Sequence, residues 1–270
     1  WWYPQADSAF LLNGLLALRC GGQQFDETFG DETTPYQGIA LVNLSTQAVH
    51  TIGLGYTGIS SLNASGSKLY LGTQKDVGSV AGTWMPICAH YLREIDPAAP
   101  SIGPAVNVPG LFEQFASGIL VTRDDQWGEN WTFKSSLKTM PWDGHSPIRE
   151  VADTLALPPG AASVLPRGST IYFTAYEAGS LLYAVAMDPA GKLVLGDGLL
   201  LTDQWATLFE ADADTAYVTI GNLVARYGFA DGQGSLRDVA ETMGYPASVR
   251  FGTEHAYIAL GYSGVHVLPR

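Results

Sequence analysis

The residues best suited to chemistry in this sequence lie in three long stretches between strand-like segments. Arg19–Gln37 carries Asp26, Glu27, Asp31 and Glu32 beside Phe25 and Phe29. Gly72–His90 carries Trp84 and Met85, and Thr122–Ser136 contains Arg123-Asp124-Asp125-Gln126-Trp127-Gly128-Glu129-Asn130-Trp131. Carboxylates set among large rings suit recognition, because flat rings bury area at small entropic cost while the acids orient a partner. We therefore expect Trp84, Asp124, Asp125, Trp127, Glu129 and Trp131 to form a partner-binding surface. The competing reading is that these stretches fold on themselves and bury their own tryptophans.

Catalytic and metal signatures are weaker. There is no Gly-x-Ser-x-Gly elbow and no Walker-type loop. His50, His90, His145, His255 and His266 include no two at metal-ligand spacing. Asp124-Asp125 and Asp212-Ala213-Asp214 fall short of an alternating-oxygen calcium loop, and the second pair is better suited to a turn. No cofactor is expected; calcium is the one metal kept in view.

The elements that must position these groups are short strands in a repeat. One apolar core recurs six times: Leu15–Leu18, Lys68–Leu71, Gly118–Val121, Thr170–Phe173, Ala216–Thr219 and Ala256–Ala259. Tyr70, Tyr172, Tyr217 and Tyr257 share one position of that register, with Leu16 and Leu120 in the others. A further strand follows each core, centred near Leu41, Arg93, Met140, Ala184, Arg226 and His266. Four of these strands end in Asp96-Pro97, Asp143-Gly144, Asp188-Pro189 and Asp231-Gly232. There the Asp carboxylate can accept backbone N–H groups and Pro or Gly supplies the turn dihedrals. Fourth strands are expected at Gln47–Leu54, Pro104–Val108, Ile148–Leu155, Leu193–Leu201 and Leu236–Thr242.

Four strands every 40–50 residues make a β-propeller blade. The expectation is an all-β, six-bladed propeller of four-stranded blades in a single domain over residues 1–270, closed by Trp1–Pro4 pairing with the last blade. The three stretches above would then be second-to-third-strand loops of blades one to three, all on one face. An axial site, if present, would draw on Glu113, Gln114 and Gln204.

Composition narrows the partners. With 26 acidic residues against 14 basic and a net charge of −12, binding to nucleic acid or an anionic membrane is disfavoured. No apolar run is long enough to span a bilayer. The 31 Gly, 15 Pro and 46% hydrophobic residues describe a turn-rich folded chain. The chain starts Trp-Trp-Tyr, so a signal or upstream segment is expected to be absent from it.

Leu92–Pro100 (LREIDPAAP) with Gly103–Gly110 (GPAVNVPG), and Ala256–Leu268 (AYIALGYSGVHVL), resemble the repeat of bacterial secreted β-propellers of the LVIVD type. The resemblance is close in the second and last units and is one of rhythm elsewhere. It implies an exported propeller (periplasmic, cell-surface or extracellular) and no catalytic residues. In such a protein Cys20 and Cys88, placed by the register in loops of adjacent blades, could form a disulfide; two buried thiols are the alternative. The function expected is a non-catalytic module that binds a protein partner. A metal-dependent hydrolase or lactonase-like propeller and a glycan-binding propeller are the alternatives.

Overall fold

The computed structural model describes residues 5–12, 14–25, 32–55, 58–65, 68–97, 101–128, 132–212, 214–230 and 233–269. They form six antiparallel sheets strung along the chain. The first holds β1 (Gln5–Leu12), β2 (Leu15–Phe25), β3 (Glu32–Asn43) and β4 (Val49–Gly55) in that order. The second holds β5 (Gly58–Ser65), β6 (Lys68–Ser79) and β7 (Pro86–Asp96), with two short strands, β8 (Ser101–Ile102) and β9 (Val106–Val108), both paired to β7. The third runs β10 (Leu111–Ala116), β11 (Ile119–Trp127), β12 (Phe133–Pro141) and β13 (Asp153–Ala156).

The fourth holds β14 (Ala161–Arg167), β15 (Thr170–Tyr176) and β16 (Ser180–Met187), with β17 (Leu193–Leu195) and β18 (Leu199–Thr202) both on β16. The fifth runs β19 (Thr207–Ala211), β20 (Thr215–Ile220), β21 (Leu223–Ala230) and β22 (Gln233–Glu241). The sixth holds β23 (Ser248–Phe251), β24 (His255–Ala259) and β25 (Val265–Pro269). This is the six-bladed β-propeller fold expected from the repeat. The strand expected at Trp1–Pro4 to complete the sixth blade lies outside the described residues.

Contacts group the chain into two compact units, Trp1–Phe133 with Leu137–Val151, and Lys134–Ser136 with Ala152–Arg270. Across both, four of the second strands supply the driest stretches. Leu69–Thr73, Ile119–Thr122, Ile171–Ala175 and Thr215–Thr219 are buried on both faces, as central strands between packed layers must be. In the first unit Tyr70 of β6 packs with Phe112 and Phe115 of β10 and with Trp142, at ring separations of 6.2, 5.3 and 5.9 Å. In the second unit Tyr172 of β15 meets Phe229 of β21 at 5.2 Å, and Tyr217 of β20 meets Phe251 of β23 at 4.8 Å. The tyrosine register is thus the element by which one blade grips the next. Tyr257, at the same register in β24, is 45% exposed.

Two of the Asp turns, at Asp143 and Asp188, form as expected. Asp143 Oδ1 accepts the backbone N–H of His145 (2.9 Å) and Ser146 (2.8 Å), and the Ser146 hydroxyl together with these two amides holds its carboxyl well below the usual range. Asp188 Oδ1 accepts from Ala190 and Lys192, each at 2.9 Å. Asp231 lies outside the described residues. Asn43 does the same in the first blade, its Oδ1 taking the N–H groups of Ser45 and Thr46 at 3.0 Å each. The Asp212–Asp214 turn joins β19 to β20: Asp212 N donates to Thr215 O at 2.8 Å, and Thr215 Oγ1 to Asp214 Oδ1 at 3.0 Å.

Three features differ from the sequence reading. The strand expected over Leu193–Leu201 is broken into β17 and β18, because Gly198 crosses so close to Tyr183 that a Cβ there would lie 2.6 Å from its ring. Of Ile148–Leu155 only the end, within β13, is strand. The long stretches of the first two blades are chiefly ladder rather than loop: β2 with β3 and β6 with β7 run on as paired strands to Phe25–Glu32 and Ser79–Pro86. Residues 75–79 are solvent-exposed, so these extensions lack the apolar alternation that betrays a strand.

Candidate functional site

The β6–β7 hairpin ends in a tight tip, Val80–Met85. Val80 N donates to Met85 O (2.9 Å), Thr83 N to Val80 O (3.0 Å) and Met85 N to Thr83 Oγ1 (3.1 Å), with Gly82 at φ +74°. Trp84 is carried on this tip and is 76% exposed. Val77 and Ile87 are exposed on the hairpin beside it.

Beside the hairpin lies the end of β11, Arg123–Trp127. An open pocket of about 700 Å³ is lined by Gln74, Cys88 and His90 of the hairpin, by Leu111, and by Asp124, Asp125 and Trp127. Asp124 Oδ2 accepts from Lys138 Nζ at 2.6 Å and from Gln126 Nε2 at 2.8 Å. Arg123 Nε stands 3.1 Å from Asp125 Oδ2 and 3.6 Å from Glu113 Oε1. Trp127 packs on Phe133 with ring centroids 4.8 Å apart, yet stays 37% exposed.

Three titrating groups are displaced at this end of the unit. Burial pushes Glu113 up to about 7 despite Arg123 nearby, and the charge of Asp125 adds to the rise. Burial lowers His90, against the pull of Asp124 and Asp125, so a neutral imidazole faces the cavity with its Nδ1 buried and unbonded. Burial likewise raises the Cys88 thiol, which donates to Asp76 Oδ1 at 3.3 Å.

Asp124, Asp125 and Trp127 all border this pocket from one strand, and Trp84 is displayed at the hairpin tip rather than in the pocket wall. Glu129 and Trp131 lie outside the described residues. Cys88 is a free thiol, and the bridge to Cys20 is not formed. Cys20 sits in β2, opposite Ala6 and Gly38.

The placing of Glu113 depends on a feature the sequence does not announce. β10 carries a bulge: Phe112 opposes Thr122 and Gln114 opposes Val121, leaving Glu113 as the extra residue. First strands β1, β5, β14 and β19 shift register in the same way, at Ala6/Ser8, Ile59/Ser61, Ala162/Leu165 and Leu208/Glu210. A bulge bends its strand and re-aims a side chain; here it sets the Glu113 carboxyl near Arg123, while Asn63 of β5 donates to Glu113 O at 2.7 Å.

In the second unit a carboxylate is similarly sequestered. Glu210 of β19 forms an ion pair with Arg167 of β14, and Arg250 Nη1 of β23 stands 3.4 Å from its other oxygen. Arg167 Nε also donates to Ala211 O at 2.8 Å, so this group ties three successive first strands. Among the described residues no three His, Cys, Asp or Glu side chains gather at metal-binding distances. No helix among them is long and apolar enough to cross a membrane.

No family model and no curated protein matches the chain. Solved structures do match. A mutant of Trypanosoma rangeli sialidase displaying trans-sialidase activity aligns over 98% of this chain and 53% of its own, at 12% identity and a TM-score of 0.53. This chain thus spans about half the length of that protein. A putative 6-phosphogluconolactonase from Bacteroides fragilis aligns over 95% of this chain and 78% of its own, at 14% identity and a TM-score of 0.57. A Mycobacterium tuberculosis puromycin-hydrolysing peptidase aligns over 94% and 43%, at 12% identity and a TM-score of 0.54. At such identities the likeness is one of fold, and that fold is the β-propeller.

Proposed function

We propose that the chain is an exported, non-catalytic binding module that takes a protein partner on the β6–β7 hairpin and the end of β11. The observation that carries this reading is the pairing of an open pocket of mixed polar and apolar lining with an apolar rim. The cavity carboxylates Asp124 and Asp125 already have Lys138 and Arg123 beside them, so they orient a ligand without demanding a full countercharge. Around them Trp84, Ile87, Trp127 and Phe133 remain exposed. Rings on a fixed backbone surrounded by polar groups are the composition of an interface centre.

The test begins with the native mass of the protein drawn gently from its source, with mass spectrometry of what travels with it. The partner found is then titrated against Trp84→Ala and Trp127→Ala. Each should weaken binding about tenfold or more, as removal of an interface anchor does, with an unchanged melting curve. Equal binding by both variants, or a lone monomer in the source extract, would overturn the reading. Cell fractionation tests export directly.

A second reading is favoured by one group. Glu113, half-protonated near neutral pH, has the ionisation of a general acid or base, as a hydrolase or lactonase-like propeller would need. Turnover of an ester and lactone panel that Glu113→Gln abolishes would select this reading over the first.

A further inference from the structure

The second unit displays a pair of rings outside the surface described above. Trp205 is 60% exposed and Tyr176 is 39% exposed, with centroids 5.5 Å apart and planes tilted by 38°. Leu200, close to Gly179, is 66% exposed.

Trp205 is not on a loose loop. Both backbone groups flanking it are bound to one buried hydroxyl: Ser180 Oγ donates to Gln204 O at 2.7 Å and accepts from Ala206 N at 2.8 Å. Gln204 N donates to Thr202 Oγ1 at 3.2 Å, and Tyr176 OH donates to Asp203 O at 3.5 Å. Gly160 fixes the other side, for a Cβ there would stand 2.3 Å from Tyr176 O. A large indole held in water by a rigid mount is a preformed stacking platform.

The rim around the rings decides what can stack. Glu177, Asp203 and Gln204 are all exposed there, and two of them carry carboxyl groups rich in hydrogen-bond acceptors. A ligand that fits must have a flat apolar face and a periphery of donors. A neutral sugar ring has both: its C–H face lies on the indole while its hydroxyls donate to Glu177 and Asp203. An anionic sugar would be repelled. A proline-rich peptide also stacks on rings, but its prolines lack N–H donors and offer chiefly carbonyl acceptors to a rim of acceptors.

We infer that Trp205 and Tyr176, with Glu177 and Asp203, form a binding site for neutral oligosaccharide, one sugar ring on Trp205 and its neighbour on Tyr176.

The test is calorimetric titration of the whole chain with cellohexaose, maltohexaose and chitohexaose, with tryptophan fluorescence recorded in parallel. At least one hexaose should bind saturably and perturb the fluorescence. Trp205→Ala should weaken it about tenfold or more, and Asp203→Asn by a smaller factor. Melting curves establish that the variants fold, and Trp205→Gln provides a second variant if Trp205→Ala does not. The inference is overturned if no hexaose binds at millimolar concentration, or if Trp205→Ala binds as tightly as the parent. It is equally overturned if a proline-rich decapeptide binds through Trp205 while the hexaoses do not.

Discussion

The ring of Tyr70 meets that of Trp142 nearly edge-on, with centroids 5.9 Å apart and planes at 65°. Trp142 is 7% exposed, and its indole N–H is satisfied by Ser146 O at 2.7 Å. Phe115 completes a triangle with these rings, 5.3 Å from Tyr70 and 5.1 Å from Trp142. The cluster joins the second and third sheets of the first unit, so its loss should be felt as a loss of blade-to-blade cohesion.

Trp142→Ala is expected to cost about 3–5 kcal/mol, the range for deleting a large buried ring. Tyr257→Ala removes a tyrosine of the same register that is 45% exposed and should cost about 1 kcal/mol or less. Urea denaturation of both variants measures the contrast.

Glu113 predicts a pH dependence of definite sign. Its carboxyl is raised from 4.5 to about 7 in the folded chain, so between those values the native state holds a proton that the unfolded state has released. Stability is therefore highest below about pH 4.5 as far as this group is concerned, falls as pH rises through about 7, and is level beyond; the loss is about 3 kcal/mol. Glu113→Gln should flatten that slope in urea titrations at pH 5 to 8 and leave the protein more stable than the parent at the upper end.

Glu210 and Arg250 should respond unequally, although they face each other at 3.4 Å. The Glu210 side chain is 12% exposed, and Glu210→Ala strands the Arg167 guanidinium beside it, a cost of about 3 kcal/mol. The Arg250 side chain is 70% exposed, so Arg250→Ala should cost well under about 1 kcal/mol. Thermal or denaturant unfolding of the two single variants tests the difference.

Gly110 controls the wall of the cavity from behind. Its φ is +138°, and a Cβ there would fall 2.5 Å from Arg123 O. Gly110→Ala should lose roughly 1–3 kcal/mol through strain and displaced backbone. Because Arg123 adjoins Asp124 and Asp125, it should also weaken partner binding although Gly110 does not line the cavity.

Much of this architecture was legible because it is written in local chemistry. The Tyr70, Tyr172 and Tyr217 register repeats in sequence because each ring answers a repeated packing need. Asp143 and Asp188 announce their turns because the carboxylate and the following Gly or Pro act within a few residues. The gathering of Asp124, Asp125 and Trp127 followed from chain order alone. What escaped leaves no mark in the apolar pattern or the composition. The ladder over residues 75–79 is exposed and so carries no apolar alternation. Glu113 owes its setting to a register shift against β11, which no composition reveals. Trp205 reads as an ordinary loop tryptophan until Ser180, 25 positions earlier, is seen to hold its backbone.

The register shifts in five first strands have a wider meaning for how this repeat can diverge. A residue outside the ladder bonds is the one place in a paired strand where side-chain identity is released from cross-strand matching. Successive blades fill that place with Asp7, Ser60, Glu113, the Ser163–Val164 pair and Phe209: an acid, an alcohol and an aromatic ring among them. Each copy of the repeat thus keeps one tolerant address, where a new chemical group can be tried without disturbing the sheet that carries it.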